Sequence, residues 1–275
     1  GHVPVDVEEV PDGVRTTWLP WAARVTLVEA AVLLVAGLGA GTINTVVGSG
    51  SLITFPVLLA FGYPPVVANM TNNLGVLPGS MSGTVAYRAE LRDQWPRALR
   101  LVGASVVGGL LGAVLLLRLP AAAFDAIVPT LILLACALVV LQPWLRRRIS
   151  ARRRTPGGRP GPALSAGVFS TGVYGGYFGA AQGVLLIALL DILLDDELNR
   201  LNALKNVLAT GANGAAAVVF VVHGGVAWDA AALIALGSVV GGQIGARIGR
   251  RLPPGIYRGV IVVVGVAAVV KLLVP

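Results

Sequence analysis

The sequence predicts an all-α polytopic membrane protein built from two inverted-topology repeats of about five helical segments each, with short broken or re-entrant helices. Three observations predict it. Only 12% of the residues are charged and 56% are hydrophobic, with a mean hydropathy of +0.81; soluble domains carry about 25% charged residues. From Ala30 to Tyr87 there is no Asp, Glu, Lys or Arg, a run whose surface would be one large apolar patch in water. Finally, the two halves of the chain repeat each other at a fixed spacing.

Residues 1–23 are polar and mixed and read as an extramembrane tail. The first repeat, 24–145, resolves into apolar segments near 24–46, 50–61, 65–87, 97–117 and 122–145. A basic cytoplasmic linker follows over 146–161. The second repeat, 162–275, has segments near 162–178, 182–194, 199–222, 229–249 and 255–273. In each half the first two segments are short and glycine-rich at their junction, as full crossings or re-entrant pieces would be. A spanning helix needs about 20 apolar residues.

Basic residues assign the sides, because cytoplasmic loops are enriched in Lys and Arg. Arg88, Arg92, Arg97 and Arg100 follow segment three, and Arg146, Arg147, Arg148, Arg152, Arg153, Arg154 and Arg159 fill the linker. Arg200 precedes segment eight, and Arg247, Arg250, Arg251 and Arg258 follow segment nine. All these loops are placed inside. Arg15, Arg24, Arg118 and Lys271 are placed outside, as are both termini. Trp18, Trp21, Trp95, Trp144 and Trp228 flank apolar segments, as interfacial indoles do. The net charge of +8 thus reflects contact with anionic membrane lipids rather than nucleic acid.

The repeat is read from five matches. Ser105-Val106-Val107-Gly108-Gly109 recurs as Ser238-Val239-Val240-Gly241-Gly242, a spacing of 133 residues. The same spacing relates Trp95 to Trp228, Arg118-Leu119-Pro120 to Arg251-Leu252-Pro253, Asn69 to Asn202 and Asn73 to Asn206. An odd number of crossings per copy inverts the second copy, the architecture of many secondary transporters.

Two polar features fall at membrane depth. One is a pair of glycine-rich breaks, Val47-Gly48-Ser49-Gly50-Ser51 and Gly179-Ala180-Ala181-Gln182-Gly183. A helix restarting there directs unpaired N–H groups inward, where they favour an anion; close packing of small residues is the alternative. The other is Asn69, Asn72 and Asn73 with its counterpart Asn202, Lys205 and Asn206, each set on one helix face. Interhelical hydrogen bonding accounts for some of these amides. An intramembrane lysine is a functional candidate, unless it snorkels to the interface. Tyr174 and Tyr177 flank the second break, where they donate to a ligand or simply pack. Glu29, Asp125 and Asp191 are acidic candidates for proton coupling, each near a membrane surface. Cys136 sits alone in an apolar segment, and His2 and His223 have no ligand spacing, so no metal or cofactor is expected. No triad, P-loop or paired buried carboxylates point to catalysis.

These motifs resemble a known family. Gly48-Ser49-Gly50-Ser51-Leu52-Ile53-Thr54-Phe55-Pro56, Ala68-Asn69-Met70-Thr71-Asn72-Asn73 and Pro78-Gly79-Ser80 are similar to the first repeat of the sulfite exporter TauE/SafE family. Tyr174-Gly175-Gly176-Tyr177-Phe178-Gly179, Gln182-Gly183 and Asn202-Ala203-Leu204-Lys205-Asn206 look like its second. The resemblance covers about 25–273 and departs at Ser49, where the family often has a third glycine. It implies a secondary transporter, usually an exporter, for a small sulfur oxyanion such as sulfite or an organosulfonate such as sulfoacetate. Such a carrier sits in the cell membrane and is driven by potential or by a coupled proton or Na+. An anion channel and a lipid-handling protein are the competing readings. The expected substrate-binding set is Gly48, Ser49, Gly50, Ser51, Asn69, Asn72, Asn73, Gln182, Gly183, Asn202, Lys205 and Asn206.

Overall fold

The computed structural model describes residues 25–150, 161–194, 196–248 and 254–273. The tail over 1–23 with Trp18 and Trp21, the linker arginines from Arg152 to Arg159, and the second Arg-Leu-Pro motif at 251–253 lie outside the described residues. Among the described residues there are eleven helices and no strand.

In chain order the first half holds α1 (Leu27–Val46), α2 (Ser51–Ala60), α3 (Pro65–Ala86), a short α4 (Arg88–Leu91), α5 (Trp95–Arg118) and α6 (Ala121–Ser150). The second holds α7 (Pro162–Tyr177), α8 (Gln182–Leu193), α9 (Leu198–His223), α10 (Trp228–Ile248) and α11 (Pro254–Leu273). Most ends fall close to the expected segments. The sequence reading lacks α4, and α6 continues to Ser150, into the stretch expected to be linker. Pro65, Pro96 and Pro162 sit in the first turns of α3, α5 and α7, where a missing N–H costs nothing.

Five helices are long and apolar enough to cross a bilayer: α1, α5, α6 over Ala121–Trp144, α9, and α10 over Trp228–Arg247. Trp95 and Trp228 open α5 and α10 and are 45% and 58% exposed, and Trp144 ends the α6 span at 55%. They sit where interfacial tryptophans belong. The chain is a multi-pass membrane protein.

At about 1.5 Å per residue α2 and α8 are only about 15 and 18 Å long, short of the roughly 30 Å hydrocarbon core. Both double back. A Cβ on Gly50 would lie 2.3 Å from Ala40 O, and one on Gly39 would touch Ile53 Cδ1 at 3.7 Å, so α2 runs back along α1. A Cβ on Gly167 would lie 2.6 Å from Leu189 Cδ1, and one on Gly175 2.2 Å from Gln182 Nε2, so α8 runs back along α7. Each pair is a helical hairpin whose tip is the glycine-rich break.

The two tips meet backbone to backbone. Gly183 N donates to Gly48 O at 3.0 Å. A Cβ on Gly48 would lie 2.3 Å from Gly183 Cα, and one on Gly183 2.4 Å from Gly48 Cα. Gly48 also has φ +86°, a conformation that side chains other than glycine's disfavour.

Around this contact the packing recurs with the halves exchanged. α1 packs on α10 as α7 packs on α5, α3 on α10 as α9 on α5, and α2 on α11 as α8 on α6. The repeated Ser-Val-Val-Gly-Gly motif makes the same bond twice: Ser105 Oγ donates to Leu208 O at 2.7 Å, and Ser238 Oγ to Gly75 O at 2.8 Å. Gly109 lies against Ala212 O and Gly242 against Gly79 O. The motif glycines therefore pack helices closely, as small residues do in membranes.

Replacing Gly183 with alanine is expected to lower stability by about 1–3 kcal/mol, the range for overpacking. Gly103, with nothing within 4 Å of a Cβ, is the control: Gly103→Ala should be neutral or stabilising. Thermal unfolding of the purified variants in detergent checks both; equal melting temperatures for Gly183→Ala and wild type would contradict the tip contact.

Candidate functional site

Helix α1 ends at Val46, and its last carbonyls have no i+4 partner within the helix. Lys205, two turns into α9, meets them. Its Nζ donates to Asn44 O at 2.9 Å and Thr45 O at 3.1 Å. The side chain is 1% exposed and does not snorkel to the interface. A cation at a helix C-terminus complements the negative end of the dipole. Two of the three ammonium hydrogens are thereby engaged and one is left.

Asn202 lies one turn before Lys205 and Asn206 directly follows it; the two asparagines, four residues apart, share a helix face and are 4% and 2% exposed. Asn202 Oδ1 and Asn206 Nδ2 have no hydrogen-bond partner, and neither does Ser49 Oγ in the adjoining tip. Buried polar atoms are nearly always paired, so these three unpaired atoms, on α9 and on the tip between α1 and α2, are candidates for contact with a polar guest. Among the described residues no carboxylate pairs with Lys205; the ion pairs join Asp196 to Arg97 and Arg200.

The α3 asparagines are held elsewhere. Asn69 Nδ2 donates to Tyr177 O, the end of α7, at 2.9 Å. Asn72 Oδ1 accepts from Thr54 Oγ1 on α2. Asn73 Oδ1 and the Tyr177 hydroxyl are buried without partners. No hydrogen bond among the described residues joins the α3 asparagines to Lys205. The hydrogen bonds of the α3 asparagines and of Lys205 thus go to different partners. The third long helix of each half caps the hairpin tip of the other: α9 caps α1, and α3 caps α7.

The breaks differ from a bare anion-binding helix start. Gln182 N donates to Gly179 O and Gly183 N to Gly48 O, so protein acceptors already take these α8 amides. Gln182 Nε2 reaches Thr171 O at 3.3 Å, leaving Oε1 unpaired. Gly50 N points to Asn44 Oδ1 at 3.5 Å, and Ser51 opens α2. Tyr174 OH donates to Ala180 O at 2.6 Å, which fixes the second tip.

The sequence reading passed over Asn44, and it named Thr54 and Ser80 only within the family motifs, not as site residues. Asn44 accepts from Gly50, donates to Ser80 Oγ at 2.8 Å, and offers its carbonyl to Lys205. Its place four residues before the glycine break was the available signal. Of the acidic candidates, Glu29 forms the α1 capping box with Thr26 at an exposed end. Asp125 is exposed on α6, and Asp191 is half-buried on α8.

The chain is similar to known proteins. The family described as sulfite exporter TauE/SafE matches over residues 33–272. The chain is 31% identical to a "Probable membrane transporter protein ORF9" from Sinorhizobium sp, covering 88% of this chain and 92% of that one. It is 28% identical to the "Probable membrane transporter protein YfcA" of Escherichia coli strain K12, covering 88% of each. A "Probable membrane transporter protein" of Haemophilus influenzae is also 28% identical, over 79% of this chain and 84% of that one.

The Thr54–Asn72 bond is buried, so Thr54→Val strands an amide oxygen. The expected cost is about 1–3 kcal/mol. Thermal unfolding in detergent reads it; an unchanged midpoint would show that the bond adds nothing.

Proposed function

The chain belongs to the sulfite exporter TauE/SafE family of membrane transporters, and on that premise we propose that it carries a small sulfur-containing oxyanion, such as sulfite or an organosulfonate, out of the cell. The observation that carries this reading is Lys205. A buried charge without a counter-charge is costly, and membrane lysines mark substrate or ion pathways. An anion supplies the missing charge, and the unpaired Asn206 Nδ2, Ser49 Oγ and the third lysine N–H are the donors this reading assigns to its oxygens.

The two halves act as inverted repeats in this reading, supported by the 133-residue spacing and the exchanged helix packing. The basic loops support a topology with both termini outside, and in this reading the hairpin tips form the repeat interface near the midplane, where such carriers bind substrate. The α3 asparagines and Gln182 line the path on the other side of the tip contact. An inside-negative potential favours exit of an anion by about 2.3 kcal/mol per charge per 100 mV. In this reading the membrane potential is the driving force; Asp125 is exposed and Glu29 is half-buried in the α1 capping box.

Flux in proteoliposomes tests the assignment. Wild type is expected to move sulfite or methanesulfonate, and Lys205→Ala to lose at least about 100-fold in rate, the effect of removing a charged partner worth roughly 3 kcal/mol. The variant should keep its helical content and elute as wild type does. Undiminished flux by a folded Lys205→Ala protein would refute the site.

A further inference from the structure

We infer that the bodies that move against each other in this carrier are not its two sequence halves but two helix-exchanged bundles. One is α5–α9, a single stretch of sequence from Trp95 to His223; the other is α1–α3 joined by α10 and α11. This rests on the transport reading above.

Packing draws the division. Helices α1 and α3 pack chiefly on α10, which belongs to the other half of the sequence, and α2 packs on α11. Helices α7 and α9 pack chiefly on α5, and α8 on α6, α7 and α9. Inside each bundle the helices touch through glycine. A Cβ on Gly41 would lie 2.1 Å from Ser238 O, and one on Gly241 2.1 Å from Leu38 O. In the other bundle a Cβ on Gly112 would lie 2.1 Å from Val173 O, and one on Gly176 2.1 Å from Gly109 O. Backbones this close leave no room to slide. Side chains tie each bundle further: Ser82 Oγ donates to Val239 O in one, and Ser105 Oγ to Leu208 O in the other.

Across the division the fit is looser. Helix α9 crosses α3 there, and a Cβ on Gly214 would meet only Leu77 Cδ1, at 4.0 Å. A cavity of about 570 Å³ opens along the same crossing, lined by Leu74 and Leu77 of α3, Gly214 and Ala217 of α9, and Ala231 of α10. Helix α6 also meets α11 across it. The bonds that span the division include those of the candidate site: Lys205 to the end of α1, Asn69 to the end of α7, and Gly183 N to Gly48 O.

Among the described residues the chain passes from one bundle to the other at 87–94, through α4, and at 224–227. Gly224 and Gly225 both have positive φ, +84° and +86°, and nothing lies within 4 Å of a Cβ on Gly224. Glycines in open space absorb the dihedral change of a hinge. A pivot at these connections parts Lys205 from the α1 carbonyls and opens the tips, while each bundle keeps its internal packing.

Cysteine pairs in a Cys136→Ala background test this through methanesulfonate flux in proteoliposomes. Ser82→Cys with Gln243→Cys joins the sequence halves inside one bundle, where Ser82 Oγ and Gln243 Nε2 lie 2.8 Å apart. Thr84→Cys with Thr210→Cys joins them across the division, where the two hydroxyls lie 3.3 Å apart. A short bis-methanethiosulfonate linker, cleavable by thiol, bridges each pair. The expected result is at least about 10-fold loss of flux for Thr84–Thr210, reversed by thiol, and less than about 2-fold for Ser82–Gln243. Double electron–electron resonance on the full chain reads the motion without flux. Spin labels at Val28→Cys and Leu99→Cys, across the division, are expected to give a broader distance distribution than labels at Val28→Cys and Val240→Cys, within a bundle. Equal widths for the two labelled pairs, or equal loss of flux in both bridged proteins, would overturn the division. No flux before bridging, with the difference in width present, would refute the transport reading and leave the bundles standing.

Discussion

A membrane-embedded backbone must satisfy its own hydrogen bonds, because no water is there to do so. The contact between Gly48 and Gly183 is where this chain meets that constraint most tightly. Two helical hairpins end at the glycine-rich breaks, and each end exposes carbonyls or amides. The tips resolve part of the problem on each other through the bond from Gly183 N to Gly48 O. Only glycine at both positions lets the backbones approach this closely. The rest of the cost falls on side chains from the opposite half: Lys205 on the end of α1 and Asn69 on the end of α7. The halves are thus interlocked through their least stable elements.

The two caps are unequal, and the functional reading follows from that inequality. Asn69 is neutral, and its amide simply completes a hydrogen bond. Lys205 brings a full charge into a region without a carboxylate partner among the described residues. Bonds to carbonyl dipoles lower the cost of burying that charge without cancelling it. A site with one excess positive charge, one spare donor and several unpaired neutral groups fits an anion that comes and goes better than a permanent ion pair.

Much of the fold was legible in the sequence because its causes are local or periodic. The charge-free run from Ala30 to Tyr87 needs no partner to declare a membrane protein. The Ser-Val-Val-Gly-Gly pair was legible as a repeat, and its glycines as packing residues. Both breaks fall where the glycines cluster. What was not legible depends on distant contacts. The distinction between crossing and doubling back rests on Gly50 meeting Ala40 and Gly167 meeting Leu189. The α3 and α9 sets match by symmetry of sequence, yet Asn69 and Lys205 reach across to the other half's hairpin while Asn72 bonds Thr54 in its own half. The roles of Asn44 and Thr54 were not legible because they exist only once α9 and α3 are packed against them. Short α4 was missed because four residues carry no period to detect.

The most direct test of the central claim is to locate the bound anion itself. Hydrogen selenite is a heavy-atom analogue of bisulfite, and its anomalous signal in crystals of the protein would place it without ambiguity. The account predicts a peak within hydrogen-bonding distance of Lys205 Nζ, beside Asn206 Nδ2 and Ser49 Oγ, with the lysine still on Asn44 O and Thr45 O. A peak elsewhere in the membrane region, with the Lys205 cluster empty, would contradict it.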